Sequence, residues 1–420
     1  MFTRRAILKG TVAGAAALAA PAVLGQGKAR VVVVGGGAGG ATAARYVAKD
    51  SGGAIEVTLV EPSATYYTCF FSNLYLGGFW KLGDLAHNYR KLATDYGINV
   101  VQDWAEAIDR DARRVRLASG TALPYDRLIL SPGIDFVEDS VPGWNLNVQG
   151  LMPHAYKAGT QTMLLHDQIR AMREGGVFVM IAPPNPYRCP PGPYERVSMV
   201  AHVLKRRNPK AKILILDPKE KFSKQALFEE GWQKHYPGMI ERLTLDFTGP
   251  IEEVRPRAME IRVGGETIKA DVCNVIPAQK AGVIAARADL VNKNGWAPVV
   301  PAEMRSRKDP NIFIIGDASA QGDMPKSGFA ANSQAKVAAM TVRADLTDAR
   351  KFPAKYSNTC WSLIAENDGV KVGAFYEPTE EKIASVESFI SQTGEPPELR
   401  RQTYEESIGW YRGITADIFG

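Results

Sequence analysis

Arg30-Val31-Val32-Val33-Val34-Gly35-Gly36-Gly37-Ala38-Gly39-Gly40 sets a β-branched run directly against a cluster of glycines. The valines read as a buried strand, and the pattern through Ala44, Tyr46 and Val47 reads as the helix that follows. Gly35, Gly37 and Gly40 hold the G-x-G-x-x-G positions. The first permits a tight turn, the second lets backbone approach a pyrophosphate, and the third lets helix and strand pack closely. Ile55 to Val60 is a second apolar strand ended by Glu61, 21 residues past Gly40, where a carboxylate holds a ribose hydroxyl pair. A glycine-rich loop without a nucleotide would explain the glycines alone. Strand, glycines, helix, strand and terminal acid together argue for an α/β dinucleotide domain.

Further along, Leu123-Pro124-Tyr125-Asp126 leads into a strand, Arg127 to Leu130, and then Ser131-Pro132-Gly133. Much later, Asn311 to Ile315 reads as a strand ending in Gly316-Asp317, followed by a helix from about Ser327 to Val342. Gly-Asp alone is a common turn. In this order the segments resemble glutathione-reductase-like flavoproteins. That resemblance implies FAD, with Gly133 at the cofactor and Asp317 on the ribityl chain. It also aims the late helix N-terminus at the flavin pyrimidine, where negative charge develops on reduction.

The fold implied is α/β, glutathione-reductase-like, with two Rossmann-type three-layer domains and a smaller C-terminal α+β domain. The expected division is 28–140 plus 275–342 for FAD, 141–274 for a nucleotide-type domain, and 343–420 for a C-terminal interface domain. In the middle unit, strand Gly176 to Ile181 runs into Ala182-Pro183-Pro184-Asn185-Pro186-Tyr187-Arg188-Cys189-Pro190-Pro191-Gly192-Pro193, with no second glycine fingerprint. The prolines remove amide donors that a pyrophosphate would need. A helix from about Tyr194 and a strand from Lys212 keep the fold signal, so the domain is expected not to bind nicotinamide. Cys189 stands just ahead of that helix, a position expected to favour a thiolate.

The 420 residues carry a formal net charge of +6, too weak and scattered to argue for nucleic acid. Arg4-Arg5 precedes an apolar Gly/Ala-rich stretch to Leu24, which matches a twin-arginine export signal over residues 1–27 and implies a periplasmic protein. No later apolar run is long enough for a membrane-spanning helix. The histidines are unclustered, so no metal is expected. The cysteines are Cys69, Cys189, Cys273 and Cys360, with no C-x-x-C or haem-attachment pattern. Spacing does not say which of them pair. Cys273 lies in an apolar strand, Ala270 to Ile276, and reads as core.

Three segments make the resemblance specific: Tyr66-Tyr67-Thr68-Cys69, Arg188-Cys189-Pro190-Pro191-Gly192-Pro193-Tyr194-Glu195 and Ser357-Asn358-Thr359-Cys360-Trp361-Ser362. With them the chain resembles the flavoprotein subunit of flavocytochrome c sulfide dehydrogenase and, more distantly, sulfide:quinone reductases. The resemblance implies a covalent FAD thioether at Cys69 and a redox-active Cys189–Cys360 disulfide beside the flavin. It implies Glu195 as a proton-handling acid, a c-type cytochrome partner, and oxidation of sulfide to sulfur or polysulfide. The resemblance-based scheme leaves a persulfide on one cysteine and assigns the released, flavin-reducing thiolate to Cys360. A first-turn acid held by the helix dipole is the plainer account of Glu195. The competing readings are a periplasmic sulfide:quinone reductase, an exported thiol/disulfide oxidoreductase and a flavin-binding scaffold. The tail Gln402 to Gly420 shows no clear basic amphipathic helix for a membrane surface.

Overall fold

The computed structural model describes residues 27–420. The export signal expected at residues 1–27 therefore lies, but for its last residue, outside the described residues. The four-valine run forms β1 (Ala29–Val34), buried on both faces, and the glycines open directly into α1 (Ala38–Asp50). Strands β2 (Ile55–Val60), β3 (Asn99–Val101) and β4 (Arg127–Leu130) follow. All run parallel, β2 between β1 and β3, and β4 on the other side of β1. Two-sided burial explains why β1, β2 and β4 read as continuous apolar runs rather than alternating ones.

The second unit is a four-stranded parallel sheet. Its strands are β5 (Val177–Ile181), β6 (Lys212–Asp217), β7 (Ile240–Thr244) and β8 (Val272–Val275), in the order β7-β6-β5-β8. Between β5 and β6 runs α2 (Gly192–Arg207), which begins two residues before the expected start and carries Pro193 in its first turn. Proline there costs nothing, because its missing N–H would have had no helical partner. Cys273 is fully buried in β8.

The chain then returns to the first sheet. β9 (Ile312–Ile314) pairs parallel with β4, and Ala297–Val300, Arg305–Ser306 and Ser319–Ala320 complete eight strands. Next comes α3 (Gly328–Leu346), which ends four residues later than expected and is capped by Ser327, whose Oγ accepts from the Ala330 amide at 3.0 Å. It packs against α1.

The C-terminal unit is an antiparallel sheet of β10 (Tyr356–Ala365), β11 (Asp368–Pro378) and β12 (Ile383–Ile390), followed by α4 (Pro397–Phe419). The tail is thus a long helix. It turns Tyr411, Ile414, Ile418 and Phe419 into the protein and lies along β11. Arg400, 5% exposed, fastens it. Its guanidinium donates to Glu230 at 2.7 Å and Asp368 at 3.3 Å.

Removing one member of a buried charge cluster leaves the rest uncompensated. Arg400→Ala is therefore expected to cost about 3–5 kcal/mol, read as a lowered unfolding midpoint. A loss below about 1 kcal/mol, the range of surface pairs, would contradict this role.

Candidate active site

The dinucleotide cradle is built by backbone. Gly35 has φ +97°, and a Cβ there would lie 2.2 Å from the Ser131 carbonyl oxygen. At Gly40 a Cβ would lie 1.8 Å from the Gly35 carbonyl oxygen, so helix and strand approach too closely for any side chain. Gly37 occupies the N-cap of α1 with no side chain covering the free amides of the first turn. Glu61 sits at the end of β2, where it accepts from the Gly36 amide at 2.8 Å and the Ser63 amide at 3.1 Å.

Gly316 has φ +71°, and Asp317 stands in the short turn after β9. One carboxylate oxygen, Oδ2, accepts from Arg188 Nε at 2.6 Å; the other, Oδ1, is buried with no partner. A buried acceptor left open costs free energy unless a ligand supplies a donor. A ribityl hydroxyl is such a donor, so the residues present fit a flavin nucleotide. Gly133, at φ +66°, lets Arg188 pass, since a Cβ there would stand 3.1 Å from Nη2.

Three of the cysteines meet at one cleft. Cys69, Cys189 and Cys360 all line it, together with Glu195, Gly328 and Trp410, whereas Cys273 is remote in the core of the second unit. Cys69 follows the short strand Thr65–Tyr67, and its carbonyl accepts from Ser72 Oγ at 2.6 Å. Cys360 comes from β10, its thiol 3.4 Å from Asn358 Nδ2. Cys189 adopts a left-handed φ of +56°, uncommon for a side-chain-bearing residue. Two backbone bonds hold it there: its amide donates to the Lys326 carbonyl at 2.7 Å, and its carbonyl accepts from Gly192 at 2.8 Å. All four cysteines are free thiols in this structure.

The expectation that the helix N-terminus would favour a Cys189 thiolate is corrected by the surroundings. Burial pushes the Cys189 thiol well above its ordinary value, with Cys360 and Glu195 adding to the push and Lys224 opposing it. The Gly192 amide that a thiolate could have used is spent on Cys189's own carbonyl. Burial also raises the Cys360 thiol, against the help of Asn358 and Lys224.

Glu195 does lie in the first turn of α2, yet it is buried. It accepts from Asn73 Nδ2 at 2.8 Å and from the Leu363 amide at 2.9 Å. Burial raises its carboxyl above the usual value. Trp410 stands 5.1 Å, ring to ring, from Trp361.

Sequence reasoning missed the cations. Lys224 is buried, donating to the Cys360 carbonyl at 2.9 Å and Ser362 Oγ at 2.8 Å; burial brings its amine down to about 8. Lys326 donates to the Asp317 and Ser319 carbonyls at 2.8 and 2.7 Å, over the ring of Trp296. Arg188 could have been noticed beside Cys189. The two lysines carry no local signal.

Comparison with known proteins points to sulfide-oxidising flavoproteins. Profiles for the sulfide dehydrogenase [flavocytochrome c] flavoprotein chain match at residues 162–277 (central) and 353–419 (flavin-binding), and one for pyridine nucleotide-disulphide oxidoreductases matches 29–163. The chain is 57% identical over 47 residues to the flavocytochrome c sulfide dehydrogenase flavoprotein chain of Chlorobaculum thiosulfatiphilum, spanning 96% of that sequence and 11% of this one. It is 23% identical over 325 residues to the mitochondrial sulfide:quinone oxidoreductase of Dictyostelium discoideum, 73% of this chain and 69% of that one. Its fold matches the solved sulfide:quinone oxidoreductase of Aquifex aeolicus with a TM-score of 0.72, at 17% identity, over 93% of this chain and 92% of that one.

Gly40→Ala should disrupt the cradle. The expected result is a protein purified with less than about a tenth of the normal flavin, since a backbone clash of this kind has no flexible partner to give way. Full flavin occupancy by absorbance would contradict the assignment of this turn.

Proposed function

The chain belongs to the family of the flavocytochrome c sulfide dehydrogenase flavoprotein chain, sulfide-oxidising flavoproteins, and we propose that it is an exported FAD-dependent sulfide dehydrogenase that passes electrons to a c-type cytochrome. The observation that carries this reading is the convergence of Cys189 and Cys360 on one buried cleft. The Cys189 loop stands where an active nicotinamide domain would place a second glycine turn. Export to the periplasm rests on Arg4-Arg5 and the apolar residues after it.

In this reading Cys189 and Cys360 form a disulfide in the resting protein. Hydrosulfide bonds to one sulfur, the Cys–Cys bond breaks, and the displaced cysteine leaves as a thiolate. A second hydrosulfide lifts the bound sulfur off as HSS⁻ and a proton is released, leaving both cysteines reduced. The balance is 2 HS⁻ → HSS⁻ + H⁺ + 2 e⁻. FAD would be held by the cradle and Asp317 and would supply a two-electron acceptor, and the N-terminus of α3 would favour the charge it gains. In this reading Glu195, buried and reached by Asn73, takes the proton. Lys224 is the cation that offsets a thiolate on either cysteine. Cys69, lining the same cleft, is the residue proposed to hold the flavin covalently.

The acceptor distinguishes two readings. Phe375 and Phe389, exposed on one face of neighbouring strands, make an apolar strip on the C-terminal sheet, which supports docking of a cytochrome subunit. The same strip could meet a bilayer, and the sulfide:quinone relatives make quinone reduction the second reading. Faster oxidation of the reduced protein by a co-purifying cytochrome than by a soluble quinone supports the first; the reverse supports the second.

Serine at Cys189 or at Cys360 should slow sulfide-driven flavin bleaching by at least ~100-fold, the scale expected when a covalent catalyst is removed. If both variants bleach at the normal rate, the disulfide route is wrong. Lys224 loses its proton as pH rises through about 8. The bleaching rate should therefore fall across that region, because the thiolate loses its counter-charge. Lys224→Met should be slower throughout and lack that descending limb; a wild-type profile in this variant would remove Lys224 from the chemistry.

A further inference from the structure

Cys360 is bordered by more than the flavin-side cleft. A second cavity, of about 250 Å³, opens on it from the C-terminal sheet. Cys360 is the one residue that lines both spaces; Cys189 and Cys69 line only the first.

Strand register explains the cavity. In β10 Asn358 and Cys360 share a face, since side chains alternate along a strand. Across the sheet, Val372 lies opposite Cys360, Ala374 opposite Asn358, and Ser388 opposite Ala374. Small residues at these positions leave the floor of the cavity shallow. Its roof includes Pro190 and Pro191, the two residues after Cys189, which present ring carbons and no N–H. Serine hydroxyls and the Asn358 amide beside Cys360 supply a few donors. The lone carboxylate in the lining, Asp323, is engaged by Lys382 at 2.8 Å and by the Ser385 amide at 3.3 Å. The space is therefore weakly polar, with hydrogen-bond donors and a neutralised acid. A single water needs only about 10–15 Å³ of such space, so a short chain of sulfur atoms fits.

We propose that this cavity is the port and holding site for inorganic sulfur: hydrosulfide reaches the disulfide through it and attacks Cys360, and the resulting persulfide stays there until HSS⁻ leaves. The proposal rests on the sulfide-oxidising reading and adds to it a route and a direction of attack. The bond formed joins the incoming sulfur to Cys360, and the bond broken is Cys189–Cys360. The electron pair leaves on Cys189, which faces only the flavin-side cleft. This reverses the resemblance-based assignment of the released thiolate to Cys360. Sulfur thus enters on one side of the pair and electrons leave on the other.

The test is alkylation of the reduced, flavin-loaded protein with a small thiol reagent, followed by peptide mass spectrometry. Ser388 lies exposed on β12, so Ser388→Trp obstructs the cavity from its solvent side without touching the core; Ser385→Trp is the second variant. In at least one variant, alkylation of Cys360 should slow about tenfold, as access controls thiol reactivity, while that of Cys189 is unchanged. Sulfide bleaching should slow in parallel, and bleaching by dithionite should not. Unchanged Cys360 alkylation in both variants, or equal slowing at Cys189, would overturn the port. Wild-type flavin that sulfide never bleaches would instead sink the sulfide-oxidising reading, with the alkylation rates still deciding whether this opening leads to Cys360.

Discussion

The site depends on how the Cys189 loop is fastened to the flavin-binding unit. Arg188 reaches Asp317 at 2.6 Å, and the amide of Cys189 donates to Lys326, whose own amine holds the carbonyls of Asp317 and Ser319. A loop from one domain is thereby tied to the turn of another that also offers an open carboxylate oxygen to the cofactor. Geometry at the cysteine and geometry at the open Asp317 carboxylate oxygen are set by one network. Both of its cations are buried, so neither can be removed without stranding its partner.

Burial is the second organising term. The thiols of Cys189 and Cys360 and the carboxyl of Glu195 are all pushed toward their neutral forms, and Lys224 toward its own. A site of this kind resists holding free charge. It permits charge when a reaction creates it, provided a partner lies nearby, as Lys224 does for the cysteines. A helix N-terminus alone would have stabilised a standing thiolate. Desolvation outweighs it here.

The fold was largely legible because β1, β2 and β4 are buried on both faces and Gly35 and Gly40 stand where nothing else fits. The valine run, the Gly35–Gly40 turn, the Gly316-Asp317 turn and the proline loop are local patterns with local causes. What could not be read was anything created by distance along the chain. Lys224 meets Cys360 across 136 residues, and Asn73 meets Glu195 across 122. Pairing of small residues across β10, β11 and β12 makes a cavity that no single segment announces. The thiolate expectation at Cys189 failed for the same reason: the helix was visible in the sequence, but the depth of burial was not.

The central claim is that Cys189 and Cys360 act as a second two-electron centre beside the flavin. Anaerobic reductive titration of the isolated wild-type protein measures this directly. An enzyme with flavin and a reducible bridge should take up about four electron equivalents per flavin before full bleaching, because the disulfide couple adds two to those of the flavin. Uptake of about two, with both thiols already free, would contradict the account.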